Sequence, residues 1–108
     1  MSKYMLIESR DPFESNDVDF SYELATGLVK AGHEVTLFLV QNGVLPVRRG
    51  AKADGLHAVM KAGVKVLADE FSLSERGIEA SRMTAGIATA PIEVAVDHLA
   101  AGHKTIWH

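Results

Sequence analysis

Two short apolar runs separated by a helix-length segment constrain the fold of this chain most strongly. Residues 4–7 and 35–40 are nearly continuous apolar stretches rich in β-branched or aromatic side chains, as expected for strands that are covered on both faces. Between them, Val18, Tyr22 and Ala25 recur at helical spacing. The sequence therefore predicts a βαβ unit with parallel strands and a right-handed crossover.

The ends of the first helix also have recognisable signals. Asn16 is placed to cap the helix, and Asp19 is placed to reach back from the third position. Gly32 fits the position just past the helix end.

The strand and helix pattern continues to the end of the chain. We expect a helix at 54–62 stopped by Gly63, a strand at 64–67, a last helix with Pro91 in its first turn and a final strand at 104–107. Ser72 and Glu75 have capping-box spacing, which predicts a brief helical turn ending at Gly77. Residues 81–88 fit no single pattern. The alternation predicts an α/β fold, a three-layer α/β/α sandwich around a mainly parallel sheet.

Composition limits the kind of protein this can be. A chain of 108 residues, 47% hydrophobic and 23% charged, is expected to fold as one globular domain, residues 1–108. Its net charge of −3 argues against nucleic acid as a partner. There is no apolar run of the ~20 residues that span a bilayer, and Glu8 comes too early for a signal peptide, so we expect a cytoplasmic protein. No cysteine is present, which excludes thiol chemistry within the chain.

Four segments in a fixed order carry a family resemblance. They are Gly-His-Glu-Val-Thr-Leu-Phe-Leu-Val at 32–40, Gln-Asn-Gly-Val at 41–44, Gly-Val-Lys-Val-Leu at 63–67 and Glu-Arg-Gly-Ile at 75–78. In these the chain resembles the DsrE/DsrF-like family. The resemblance implies a five-stranded sheet of order 4-3-2-1-5, assembly as dimers, trimers or hexamers, and a role in sulfur relay or sulfur oxidation, where persulfide is carried on cysteine. Family complexes also contain scaffold subunits without a working carrier cysteine, and this chain looks more like those.

The resemblance places the carrier cysteine eight residues before the glycine of the Arg-Gly pair, and that position is Asp69 here. Ser72 corresponds to a second cysteine found in some members. A carboxylate cannot carry persulfide, although Asp69 could act as an acid or base. Alternatively, Asp69 is a loop acid near a helix N-terminus, where negative charge is favourable by ~0.3–1 kcal/mol. Its capping-box spacing gives Ser72 a structural explanation.

Other candidate ligand-binding residues lie where the predicted strands end, since ligands of open α/β sheets bind there. Arg10 could hold an anion beside the first helix, although that loop could equally serve as an anchor. The implied strand order brings Gln41 near Asp69, while an ordinary turn would also explain this segment, with Gly43 free to take positive φ. The full set of ligand-binding candidates is Arg10, Asp11, Gln41, Asn42, Ser72 and His108.

Two groups of residues have plainer interpretations. The five histidines form no i, i+4 pair, so we expect no metal site, and no nucleotide or other cofactor motif is present. Arg48 and Arg49 with Lys52 make a small basic cluster, by default a solvated surface that could also face an acidic partner.

The leading functional hypothesis is an oligomeric, non-carrier protein of sulfur relay or oxidation that binds a partner or a small ligand. Its partners would be copies of itself and sulfur-relay proteins. The alternative is a small enzyme that uses Asp69 as an acid or base on a small anionic substrate, oriented by Arg10 or Gln41. A purely structural subunit is the third possibility.

Overall fold

The computed structural model describes residues 2–108 and contains a five-stranded sheet in which every paired strand is parallel, in the order β4-β3-β2-β1-β5. The elements are β1 Lys3–Glu8, α1 Asp17–Lys30, β2 Glu34–Leu39, α2 Asp54–Lys61, β3 Lys65–Asp69, α3 Glu70–Glu75, β4 Ala88–Ala90, α4 Glu93–Ala100 and β5 Lys104–Trp107. Two 3₁₀ helices span Gln41–Val47 and Ala80–Arg82. The α/β class and the strand order expected from the sequence are confirmed.

Side chains alternate between the two faces of the sheet and build a core on each side. On one face, Leu6 and Leu37 pack with side chains of α1 and α2. On the other face, Met5 and Phe38 pack against Ala95 of α4. The sheet is therefore covered by helices on both sides, and the carboxyl ends of its strands form one edge.

The start of α1 differs in detail from its prediction. Asn16 is the residue that precedes the helix, but its side chain makes no capping hydrogen bond. Its backbone is already helical (φ −71°, ψ −17°), whereas a capping side chain needs an extended backbone to reach the free N–H groups. The helix ends as predicted: Ala31 is the C-cap residue, and Gly32 follows it with φ +93°.

The segment after β2 is a 3₁₀ helix rather than a simple turn, and the expected freedom of Gly43 is used differently. Positive φ occurs at Gln41 (φ +50°). Gly43 is needed for space, because a Cβ atom at this position would overlap the carbonyl oxygen of Glu8. The close approach holds the loop after β2 against the end of β1.

Residues 81–88, which fit no single sequence pattern, contain the end of a 3₁₀ helix and the first residue of β4. β4 has only three residues and pairs with β3 from Leu67 to Asp69. Three residues are too few to show the alternation that identifies a strand. Within residues 2–108, none of the helices combines the length and the apolar character needed to cross a bilayer.

Candidate functional site

Asp69 lies at the point where β3 ends and α3 begins. Its backbone is extended, and its side-chain Oδ2 accepts hydrogen bonds from the Ser72 backbone N–H (3.0 Å) and from the Ser72 hydroxyl (2.7 Å). Both side chains are buried. The predicted capping box of Ser72 with Glu75 is therefore wrong, because the helix begins three residues earlier and Asp69 is its cap.

Gln41 extends this arrangement from the neighbouring strand. Its backbone N–H donates to the Ser72 hydroxyl oxygen (2.7 Å), so that one hydroxyl accepts from Gln41 and donates to Asp69. β2 and β3 are adjacent in the sheet, which brings Gln41 beside Asp69 as the strand order suggested. A chain of hydrogen bonds thus ties the loop after β2 to the loop after β3.

Arg76, which the sequence did not single out, fixes the outer side of the same region. Its Nε and Nη2 donate to Asn42 Oδ1 (3.1 and 3.0 Å), and its Nη1 donates to the Ser72 carbonyl oxygen (3.1 Å). Asn42 therefore acts as an acceptor for an arginine in this structure. The Arg-Gly pair was visible in the sequence, but its contact with residue 42 depends on the fold.

A cavity of about 340 Å³ lies against these side chains, within the size range of small-molecule sites. Asp69, Ser72, Gln41 and Arg76 contribute its polar wall. Its remaining lining residues are the carboxylate side chain of Glu75 and the apolar side chains of Val40, Phe71, Ile92 and Trp107. The mixture of a buried carboxylate, a guanidinium and exposed aromatic rings is suited to binding a small polar molecule or the side chains of a partner. We call this space the Asp69 cavity.

A second polar cluster lies at the switch point of the sheet, between β1 and β5. The Glu8 carboxylate is completely buried and contacts His108 Nδ1 through Oε1 (2.7 Å), while its Oε2 accepts from the Arg10 backbone N–H (3.0 Å). Sequence reasoning chose His108 and Arg10 here but missed Glu8. A carboxylate directly after an apolar strand, with a histidine at the end of the neighbouring strand, was the signal available.

The other two candidates of the first loop are engaged locally. The Arg10 guanidinium pairs with Asp17 at 3.2 Å, with both side chains more than half exposed. Asp11 Oδ1 accepts from the Phe13 backbone N–H (2.9 Å), which is the pattern of an Asx turn. None of Arg10, Asp11 and His108 lines the Asp69 cavity, so the structure divides the candidate residues into two groups.

Tyr22 of α1 is a buried polar residue near the switch-point cluster. Burial, and then the charges of Glu8, Asp19 and Asp11, raise the pKa of its hydroxyl far above the ordinary value of 10. Among residues 2–108, nothing forms a hydrogen bond with this hydroxyl. Tyr22 is therefore neutral at physiological pH and unable to act as a base.

Histidines 98 and 103 form a contact that the sequence did not suggest. Their Nδ1 atoms lie 3.3 Å apart, and His98 is partly buried. Partial burial, followed by the neighbouring His103, lowers the pKa of His98. In the described residues 2–108, no three His, Cys, Asp or Glu side chains converge in a way that could hold a metal ion.

Solved structures with this architecture come from several microbes. A protein of unknown function from Methanobacterium thermoautotrophicum, MTH1491, has a TM-score of 0.85 at 15% identity, with full coverage of both chains. The ychN protein from E. coli has a TM-score of 0.89 at 20% identity, also with full coverage of both. A protein of unknown function from Bacteroides thetaiotaomicron, BT1422, has a TM-score of 0.79 at 17% identity over 99% of this chain and 95% of that one. At these identities the likeness shows the fold alone.

No curated protein matches this sequence. A family model does match it, over residues 2–107, and its description is the DsrE/DsrF-like family. This match spans nearly the whole chain and includes every residue of the Asp69 cavity. The chain belongs to the DsrE/DsrF-like family.

Proposed function

We propose that this protein is a non-carrier subunit of a cytoplasmic sulfur-relay or sulfur-oxidation system, which binds a partner protein or a small ligand without forming a persulfide itself. The observation that carries the proposal is the state of Asp69. Where the family resemblance implies a carrier thiol, the chain has a buried carboxylate that accepts two hydrogen bonds from Ser72. A side chain engaged in this way stabilises the loop and has no sulfur to exchange.

A labelling experiment tests the absence of carrier chemistry. The purified protein is treated with a low-molecular-weight persulfide whose outer sulfur is isotopically labelled, and the intact mass is measured without reductant. We expect wild type, which has no cysteine, to gain no sulfur. An Asp69→Cys variant should gain one sulfur atom, because the substitution introduces a single thiol. Covalent labelling of wild type would refute the proposal.

The surface of α4 supports an oligomeric protein. Ile92, Val96 and Leu99 lie on one side of the helix and are 44–60% exposed. Ala95 lies on the other side and is buried against the sheet. A helix with apolar side chains on both its inner and its outer side is typically buried on both sides. Trp107 and Phe71, at 62% and 70% exposure, line the Asp69 cavity together with Ile92. We call these five side chains the apolar stripe.

A second copy of the chain covers the apolar stripe in this proposal, as the oligomers implied by the family resemblance would require. Light scattering over a dilution series tests this contact by comparing the molar mass of wild type with that of Val96→Glu, which puts a charge into the stripe. Ala58→Glu is the matched control, because Ala58 is also an exposed helix residue but lies on α2. We expect wild type and the control to be dimers or larger and Val96→Glu to be a monomer. A wild type that stays monomeric at every concentration excludes this contact and the purely structural subunit as well.

A second candidate function is a small enzyme that uses Asp69 as an acid or base. The observation in its favour is that Asp69 lines a 340 Å³ cavity together with Arg76, a cation that could attract an anionic substrate. Asp69→Asn separates the two candidates, because asparagine caps helices as well as aspartate does but cannot transfer a proton at neutral pH. If a turnover found for wild type is unchanged in the variant, Asp69 is not its acid or base.

A further inference from the structure

Four of the five arginines in the chain line one cavity. Arg48, Arg49, Arg76 and Arg82 surround a space of about 550 Å³, and Gly77 and Ile78 complete its wall. We call this space the arginine groove. Arg76 lines both this groove and the Asp69 cavity.

The fold brings these arginines together from distant parts of the sequence. Arg48 forms an isolated antiparallel bridge with Met83, and the Arg49 backbone N–H donates to the Arg82 carbonyl oxygen (2.8 Å). Arg76 reaches the same place from the end of α3. The basic residues 48 and 49, which by sequence alone looked like a solvated surface, are thus half of a larger cationic site.

The positive charge in the groove is largely unpaired. Across residues 2–108, the one carboxylate within 4.0 Å of these four guanidinium groups belongs to Glu79, which is at that limit from Arg82. The whole chain has a net charge of −3, so a general excess of basic residues does not account for the cluster. Like charges around one cavity repel one another, and an anion in the groove would relieve that repulsion.

Backbone carbonyls hold three of the four guanidinium groups in place, including that of Arg76, whose Nη1 donates to the Ser72 carbonyl oxygen (3.1 Å). Arg48 Nε donates to the Leu45 carbonyl oxygen (2.9 Å), and Arg49 Nη2 donates to the Ser81 carbonyl oxygen (3.0 Å). Each of these contacts uses one of the five N–H donors of a guanidinium. Within residues 2–108, the other donors of Arg48 and Arg49 form no hydrogen bond, and their planar fork matches the oxygens of phosphate groups.

We propose that the arginine groove binds a small phosphate-bearing molecule with more than one negative charge. Several guanidinium groups around one space favour a multiply charged oxyanion over a single carboxylate. The volume is larger than a bare phosphate requires and fits an organic phosphate, for which the buried Ile78 offers an apolar contact.

Calorimetric titration with inorganic pyrophosphate at low ionic strength tests the proposal. We expect wild type to bind it, Arg49→Gln to bind about tenfold more weakly or worse, and the double variant Arg49→Gln with Arg82→Gln to show no binding. Arg10→Gln is the control, because Arg10 is paired with Asp17 outside the groove and its loss should leave the affinity unchanged. Thermal melts of every variant verify that each is folded.

Nuclear magnetic resonance locates the bound pyrophosphate. The backbone amide signals of Gly77 and Ile78 should shift during the titration, since both residues line the groove. The proposal is overturned if wild type does not bind millimolar pyrophosphate, if the groove variants bind it as well as wild type does, or if these two amides do not move. Tighter binding of an acidic peptide than of pyrophosphate would likewise overturn it and identify a protein contact instead.

Discussion

Replacing Asp69 by alanine should destabilise the protein strongly, because the carboxylate is a structural cap in a buried position. Its Oδ2 accepts from both the N–H and the hydroxyl of Ser72, and Ser72 in turn accepts from Gln41. The loss of an N-cap costs about 0.5–2 kcal/mol, and leaving a buried donor without a partner costs about 1–3 kcal/mol. The two effects overlap, so we expect the free energy of unfolding to fall by about 2–4 kcal/mol.

Urea denaturation followed by circular dichroism measures this change. Glu70→Ala is the matched control, since Glu70 is the next acidic residue in the same helix turn but is exposed; it should cost at most about 1 kcal/mol. Asp69→Asn should lie near wild type, because asparagine is an equally good cap. A loss below about 0.5 kcal/mol for Asp69→Ala would show that the hydrogen bonds to Ser72 do not hold the loop, and the structural explanation of Asp69 would be wrong.

Three further changes test the packing and the titrating groups. Tyr22→Phe removes a buried hydroxyl without a partner, so urea denaturation should show a gain of about 1 kcal/mol. Wild type should lose stability above pH 10, where the unfolded tyrosine ionises and the folded one does not, and Tyr22→Phe should abolish this loss. If the variant and wild type have the same urea midpoint both at neutral pH and above pH 10, these two expectations are wrong. Gly43→Ala should cost about 1–3 kcal/mol because its Cβ overlaps a backbone carbonyl of β1, whereas Gly27→Ala, in open space on a helix, should be neutral or stabilising; equal urea midpoints for the two variants would refute the steric argument. The pKa of His98 is lowered in the folded state, first by burial and then by His103, so below about pH 6.5 the unfolded chain binds the extra proton and the urea midpoint should fall with pH. His98→Gln should flatten this fall, and an identical pH profile would show that His98 does not cause it.

The fold could be predicted to a large extent, because its central strands are long apolar runs. β1 and β2 have six residues each and are buried from Met5 and Val35 onwards, so their pattern is unambiguous. β4 has three residues, of which two are exposed, and no periodicity can reveal such a strand. Its place at the sheet edge came from the family resemblance, and the structure confirms the order.

The candidate site was predictable only where position in the sheet determined it. Asp69, Gln41 and Ser72 follow neighbouring strands, and the structure places them in one hydrogen-bonded chain. The direction of the cap was predicted wrongly, since the spacing of Ser72 and Glu75 imitates a capping box although the helix already begins at residue 70. Spacing alone does not fix where a helix starts when two acceptors lie within one turn.

The arginine groove could not be found from sequence, and the contact of Glu8 with His108 could be anticipated only from the strand order. The arginines at 48, 49, 76 and 82 come from three separate segments that meet through a bridge and a 3₁₀ helix, neither of which has a sequence pattern. Glu8 comes at the end of an apolar strand where a solvent-exposed charge would be expected, yet its carboxylate is fully buried. Its partner His108 lies 100 residues further along the chain, so no local signal links the two.

Quantitative co-purification tests the central claim most directly. The tagged wild-type protein, the Trp107→Glu variant and the Ala58→Glu control are expressed in the cells that naturally contain the protein, and bound proteins are identified by mass spectrometry. We predict that sulfur-relay or sulfur-oxidation proteins are enriched with wild type and control, and depleted with Trp107→Glu, because Trp107 is an exposed aromatic side chain at the Asp69 cavity. Absence of any sulfur-handling protein from the wild-type sample, or equal recovery with all three, would contradict the claim that this chain is a non-carrier binding subunit of sulfur metabolism.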